Sequence, residues 1–185
     1  MKGLLLWIEV ALFSVGALLL GYVGYVWADA RLLRARADVE IHERNIGVDT
    51  AADKREGTLL GQIEIPRIGL SSAILEGTDA PTLLRAAGHI RGTALPGQAG
   101  NLCIAGHRDT FFRPLRRIAA GDEIRVRTPG GDFAYRVQTV EVVRPEDTQV
   151  LKRSTHDTIT LVTCYPFKFI GSAPDRFIVR GVRIS

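Results

Sequence analysis

Cysteine is scarce in this chain, which contains only Cys103 and Cys164 among its 185 residues. Two cysteines cannot form a disulfide scaffold, and the sequence has no CxxC or Cys/His spacing typical of a zinc site. An excess of one charge is also lacking, because 24 Lys and Arg face 20 Asp and Glu, for a net charge of +4. The acidic residues are interleaved with the basic ones, so the composition argues against a nucleic-acid-binding protein.

Compositional bias and internal repeats are absent as well. Aromatic residues make up 7% and charged residues 24% of the chain, which is ordinary for a folded protein. These values exclude a disordered tail protein or a collagen-like repeat. With 46% hydrophobic residues over this length, the sequence predicts one domain with a short appendage.

The single long hydrophobic run occupies residues 4–28 and is interrupted only by Glu9 and Ser14. At about 1.5 Å per residue in a helix, it can cross a hydrocarbon layer about 30 Å thick. The run is long for a signal peptide and no clean A-x-A cleavage site follows it, so we expect residues 1–28 to form a retained transmembrane anchor rather than a cleaved leader. Basic residues after the run favour a cytoplasmic C-terminal part, but that rule weakens when a whole domain follows the span.

The remainder of the chain divides into a charged segment and a β-rich segment. Residues 29–57 contain six basic and seven acidic residues and no proline, which predicts a polar juxtamembrane tether. From residue 58 to 185, short apolar and β-branched runs alternate with Gly and Pro, as in an all-β sandwich or barrel. The turn TPGGD at 128–132 predicts a hairpin, and residues 78–88 and 111–121 predict short helices.

Three residues at the ends of predicted strands could carry chemistry. Cys164 ends the run TITLVTC, His107 follows the run NLCIA, and Arg176 opens the last strand. Each residue alone is more often structural, since a cysteine in a β-run is usually a buried hydrophobe. In combination, an imidazole can activate a thiol, and a fixed cation can stabilise a carbonyl oxygen that gains negative charge. The set therefore predicts nucleophilic acyl transfer.

The strings GHRDTFF, TLVTCYPF and APDRFIVRG, in this order, resemble the sortase family of membrane-anchored cysteine transpeptidases, and most closely its class D. The resemblance covers residues 58–185 and the N-terminal anchor. It implies a closed eight-stranded β-barrel in which His107, Cys164 and Arg176 are the catalytic residues. It further implies a single-pass protein of the cell membrane whose catalytic domain lies outside the cytoplasm.

The resemblance also implies the substrates. The enzyme would cleave an LPXTG-like or LPXTA-like sorting signal after Thr through a thioester on Cys164. It would then transfer the acyl group to an amine of a peptidoglycan precursor or of a pilin. We expect contacts with the sorting signal from Thr163, from Leu95 and Pro96, and from the segment that begins at Tyr165 and extends to residue 170.

Other candidate residues have more ordinary interpretations. His89 is expected to be structural or peripheral, and Cys103 is expected to be buried, although a disulfide with Cys164 would abolish nucleophilicity. Some sortases use calcium, but the acidic residues at hand match no ligand loop, so we expect no obligatory metal or other cofactor. Those acidic residues are Glu141, Glu146, Asp147 and Asp157.

Two alternatives remain beside the transpeptidase. A protein of the same fold could act mainly as a hydrolase that releases its substrate to water, and only the acceptor distinguishes the two. A tethered β-domain could instead bind envelope peptides without catalysis, but such a module has no need of all three residues. The Ser-His-Gly-Cys cluster of L,D-transpeptidases is absent from this sequence.

Overall fold

The computed structural model describes residues 2–43, 55–169 and 171–185. Within these residues, one long helix precedes eight strands and a second, short helix, and three short 3₁₀ turns lie at Pro66–Ile68, Arg113–Arg117 and Thr148–Leu151. The helices are α1 (Lys2–Glu43) and α2 (Ala80–Arg85), and the strands are β1 (Leu59–Ile65), β2 (Leu70–Glu76), β3 (Ala87–His89), β4 (Asn101–Ala105), β5 (Glu123–Thr128), β6 (Gly131–Val143), β7 (Thr158–Tyr165) and β8 (Asp175–Arg183).

The strands close into a barrel in the order β1-β2-β3-β4-β7-β8-β6-β5. The neighbours β2–β3 and β4–β7 are parallel, and the other pairs are antiparallel. The predicted all-β fold with short helices and eight closed strands is confirmed. The predicted hairpin is present too, since Thr128 of β5 pairs with Gly131 of β6 and the Gly130 amide donates to the Thr128 hydroxyl.

The interior of the barrel is filled by every second residue of its strands, as β-strand geometry requires. On the three strands that matter for the site, the core residues are Leu102 and Ile104 of β4, Ile159 and Leu161 of β7, and Val179 of β8. The residues between them therefore face outward.

Helix α1 contains a 28-residue stretch, Leu6–Leu33, that is long and apolar enough to cross a membrane. The helix does not stop where the predicted anchor ends at residue 28, but continues to Glu43. Beyond residue 28, Leu33 packs against Ala73, Leu75 and Ala86, and Asp29 pairs with Arg85 at 2.6 Å. The first part of the predicted tether is thus helical and contacts the barrel, while its residues 44–54 lie outside the described ranges.

A buried carboxylate fastens two turns at the edge of β5. Asp122 accepts a hydrogen bond from Nη2 of Arg67 at 2.6 Å and another from the Ala119 amide at 2.8 Å. The hydrogen-bonded guanidinium of Arg67 holds the pKa of Asp122 below its ordinary value, against the opposing effect of burial. The pair joins the first 3₁₀ turn to the start of β5.

Candidate active site

Three neighbouring strands bring the three predicted chemical groups to one end of the barrel. In the parallel β4–β7 pair, Ala105 lies opposite Val162. His107 follows Ala105 by two residues, as Cys164 follows Val162, so the parallel pairing brings His107 to the same end of the barrel as Cys164. In the antiparallel β7–β8 pair, Cys164 lies directly opposite Arg176. The three residues therefore form one row at this end of the barrel, with Cys164 on β7, Arg176 on β8 and His107 just after β4, although they span 69 positions in the sequence.

This row lies on the outer face of the barrel, because its members alternate with the core residues of their strands. His107 is exposed, and Cys164 and Arg176 are half-buried. Nη1 of Arg176 donates to the carbonyls of Ala173 and Asp175 at 3.2 and 2.9 Å. Within the described ranges, the side chains of Cys164 and His107 have no hydrogen-bond partner. Catalytic hydrogen bonds are often long in a free enzyme and tighten only with substrate.

The backbone around His107 is held from two sides. The Thr163 hydroxyl donates to the Gly106 carbonyl at 2.7 Å, which ties β7 to the residue before His107. The Phe112 amide donates to the His107 carbonyl at 3.1 Å, and the Phe112 ring packs so closely on Gly106 that a Cβ there would lie 2.8 Å from it. The loop of residues 106–112 is therefore fixed while the imidazole stays accessible.

An apolar strip lies next to the row on the outer face, nearer to the middle of the strands. The next residues on the outer face are Ala105, Val162 and Ile178, which are register partners on the same three strands. Ala105 and Val162 are half-buried and Ile178 is buried. An extended peptide that lies along this strip would contact the half-buried Ala105 and Val162, with Ile178 covered by protein, and reach Cys164 at its end.

The predicted substrate contacts occupy different environments. Tyr165 is half-buried and stacks on Phe177 at 6.0 Å between ring centroids, and Pro96 is also half-buried. Leu95 is 5% exposed and belongs to the main core, and Thr163 is 2% exposed and faces inward. Their side chains are covered by protein, so Leu95 supports the fold and Thr163 holds the 106–112 loop. Of the predicted segment 165–170, residue 170 lies outside the described part of the chain.

Arg108 has a role at the site that the sequence pattern did not reveal. Only 7% exposed, it directly follows His107, and its guanidinium donates at 2.8 Å to each of two carbonyls, those of Pro166 and Phe169. A signal was present in the sequence, namely an arginine directly beside a candidate catalytic histidine, but its partners are 58 and 61 residues away.

His89 and Cys103 are both buried. Nδ1 of His89 lies 2.9 Å from Oε2 of Glu76, and Nε2 lies 3.0 Å from the Thr93 hydroxyl, so the ring joins buried polar groups. Burial raises the pKa of Cys103 to about 11. Cys103 pairs with Thr160 on β7, four residues before Cys164, so about 13 Å of strand separates the two cysteines. Both thiols are free, and this separation is too long for a disulfide.

Metal ligands are not assembled in the part of the chain that the structure describes, where no three His, Cys, Asp or Glu side chains come together. Asp157 pairs with Arg183 at 3.4 Å, and Asp147 accepts a hydrogen bond from the Gln149 amide at the start of a 3₁₀ turn. The expectation that the protein needs no metal or other cofactor stays a prediction.

Comparison with known proteins identifies relatives over most of the chain. The family model described as the sortase domain matches residues 63–184. Sortase D of Bacillus subtilis is 30% identical over 194 aligned residues, which cover 96% of this chain and 98% of the relative.

Solved structures give the same result. A sortase D5 transpeptidase of Clostridium perfringens is 31% identical with a TM-score of 0.70, covering 83% of this chain and 99% of that one. The Clostridium perfringens sortase C, solved with the C-terminal cell wall sorting motif, is 26% identical with a TM-score of 0.66, covering 89% of this chain and 96% of that one.

Proposed function

The chain belongs to the sortase family of cysteine transpeptidases, and from this premise we propose that Cys164, His107 and Arg176 are its catalytic residues. The observation that carries the proposal is that Cys164 and Arg176 are register partners on β7 and β8, and that His107 directly follows β4 at the same end of the barrel. A nucleophile, a proton carrier and a cation on adjacent strands can act on a single peptide bond.

The first half-reaction is acylation. The Cys164 thiolate attacks the carbonyl carbon of the substrate threonine, and the negative charge that develops on the oxygen is stabilised by the guanidinium of Arg176. The C–N bond breaks as the His107 imidazolium donates its proton to the leaving amine. A thioester on Cys164 and a neutral imidazole remain.

The second half-reaction consumes the thioester. An incoming amine attacks the thioester carbon, His107 accepts the proton of that amine, and the C–S bond breaks. This step regenerates the thiolate and the imidazolium and forms a new amide bond. Water in place of the amine would give hydrolysis.

We propose that the acyl donor is an LPXTG-like or LPXTA-like sorting signal. In the apolar strip that leads to Cys164, the half-buried Ala105 and Val162 suit the Leu and Pro of such a peptide. Half-buried Tyr165 and Pro96 are the proposed side contacts. The relative that was solved with a sorting motif supports this substrate class. The proposed acceptor is an amine of a peptidoglycan precursor or of a pilin.

We further propose that α1 anchors the protein in the cell membrane with the barrel outside the cytoplasm, where sorting signals and peptidoglycan amines meet. Protease added to intact cells that produce the chain should then degrade the barrel. Protection of the barrel until the cells are lysed would refute this orientation.

The test of the reaction uses the full chain in detergent micelles, because α1 packs on the barrel. LPXTG and LPXTA peptides are incubated with and without an amine such as a diaminopimelate-containing stem peptide, and the products are identified by mass spectrometry. The wild type and Cys103→Ala should cleave after Thr and join the amine to the new end, whereas Cys164→Ala should not.

The remaining outcomes separate the alternatives. Cleavage to the free acid with every amine offered would identify a hydrolase. Absence of Cys164-dependent cleavage in a folded, reduced protein would refute the proposed substrate class and favour a peptide-binding module.

A further inference from the structure

Arg108 is a nearly buried cation beside the candidate active site. Its side chain is 8% exposed, and its only carboxylate neighbour within the described ranges is Asp109, at 3.5 Å from Nε. Asp109 is itself 72% exposed, so water screens most of that attraction. A charged group this well covered needs strong hydrogen-bond acceptors elsewhere.

The acceptors are backbone carbonyls of the β7–β8 loop, residues 166–174, which directly follows the strand of Cys164. Nη1 donates to the Pro166 carbonyl at 2.8 Å, and Nη2 donates to the carbonyls of Phe169 at 2.8 Å and Gly171 at 3.3 Å. The guanidinium also lies 5.9 Å from the centroid of the Phe169 ring. All of these partners lie in one short stretch of the loop.

The geometry suits a guanidinium and no other side chain. Its planar fork presents fixed N–H groups in several directions, so one residue can serve three carbonyls at once. The backbone of Arg108 belongs to the 106–112 loop, which Phe112 and Thr163 hold in place. The side chain therefore connects the loop that follows β4 to the loop that follows β7.

We propose that Arg108 is a positioning residue for substrate binding: it fastens the β7–β8 loop to the 106–112 loop and so sets the wall beside Cys164, at the end of the apolar strip, before the peptide arrives. This inference rests on the proposed function, because it takes Cys164 as the place where the bound peptide is cleaved. It assigns to Arg108 no contact with the reacting atoms and no role in proton transfer.

A wall that is already in place binds the ground state and the transition state alike. Loss of such binding raises KM and leaves kcat nearly unchanged, whereas loss of a proton-transfer or oxyanion contact lowers kcat. Three carbonyls left without a donor correspond to a loss in kcat/KM of about tenfold or more. The kinetic split therefore separates positioning from chemistry.

The test compares the full wild-type chain in detergent micelles with Arg108→Met, Arg108→Lys and Arg117→Met. Arg117 is the matched control, since its guanidinium also donates to a backbone carbonyl, that of Ile68, but joins two 3₁₀ turns. Three readouts are taken: KM and kcat for LPXTG and LPXTA peptides, amide hydrogen exchange of residues 167–169 and 171, and the pH dependence of Cys164 alkylation by iodoacetamide.

For Arg108→Met we expect KM to rise about tenfold with little change in kcat, together with faster exchange in the loop. The pH dependence of Cys164 alkylation should not change, because iodoacetamide reacts with the thiol without first binding where the peptide binds. Arg108→Lys should be intermediate, since an ammonium lacks the planar fork, and Arg117→Met should match the wild type.

Unchanged KM and loop exchange in Arg108→Met would overturn the proposal, and so would a lowered kcat with a shifted alkylation profile and an unchanged loop. If Arg108→Met does not fold, Arg108→Lys decides in the same way. A wild type that cleaves none of the peptides would refute the substrate class instead, and loop exchange would then still show whether Arg108 holds the loop.

Discussion

Replacing Leu33 by alanine tests whether helix α1 is part of the folded catalytic unit or only a tether. Leu33 is 9% exposed and packs against Ala73, Leu75 and Ala86, which belong to β2 and the end of α2. The preceding residue, Leu32, is 57% exposed and provides a matched control on the same turn of helix.

The magnitude follows from the size of the cluster. Leucine-to-alanine changes in protein cores cost about 2–5 kcal/mol, from lost burial and from the cavity left behind. This cluster is small and lies outside the barrel, so we expect the lower end, about 2 kcal/mol for Leu33→Ala and within about 0.5 kcal/mol of zero for Leu32→Ala. If the barrel stays folded when the helix detaches, the loss is limited to the free energy with which α1 docks.

The assay is thermal unfolding of the full chain in a mild detergent, followed by circular dichroism. A loss of 2 kcal/mol in a domain of this size corresponds to a decrease in Tm of about 6–10 °C. Arg85→Ala should lower Tm by less, since its ion pair with Asp29 is partly exposed and contributes about 0.5 kcal/mol.

Equal Tm values for Leu33→Ala and Leu32→Ala would refute the reasoning. They would mean that the contact of α1 with β2 and α2 does not stabilise the barrel, and that the anchor and the catalytic domain are energetically independent.

Three other residues give further predictions. Because burial raises the pKa of Cys103 to about 11, iodoacetamide at pH 8 should modify Cys164 in the folded chain and both cysteines after denaturation; equal rates in the folded chain would contradict this. Gly106→Ala should cost about 1–3 kcal/mol and impair peptide cleavage, because its Cβ would collide with a buried ring, whereas Gly130→Ala should leave activity unchanged. Asp122 has a lowered pKa in the folded state, so its charge stabilises the fold above the ordinary aspartate pKa of about 3.9, and this contribution is lost as the pH falls below that value. Asp122→Asn should therefore have a lower Tm than the wild type at pH 7, and a gap that does not close in acid would contradict the assignment.

Much of the fold and the site could be predicted because the relevant patterns are local. A long apolar run, alternating strands and a Gly-rich turn depend on neighbouring residues only, and they predicted the apolar helix, the β-domain and the hairpin. The strings around His107, Cys164 and Arg176 are likewise short. Strand ends are recognisable from Pro and Gly, so the sequence placed each of these residues at the end of a strand.

What each side chain faces could not be predicted, because it depends on distant pairing. A shift of one residue in register sends a strand's side chains to the opposite face. The parallel pairing of β4 with β7 brings His107 and Cys164 to the same end of the barrel. The alternation of side chains turns Thr163 inward, and packing in the core covers Leu95.

The sequence by itself determined which residues can do chemistry and that each one lies within two residues of the end of a strand. Only the tertiary structure decided that they share one outward row, that Arg108 reaches a loop 58 residues away, and that α1 packs on the barrel. The reason is that residue chemistry and strand ends are encoded locally, whereas neighbours across a closed barrel are chosen by the packing of the whole core.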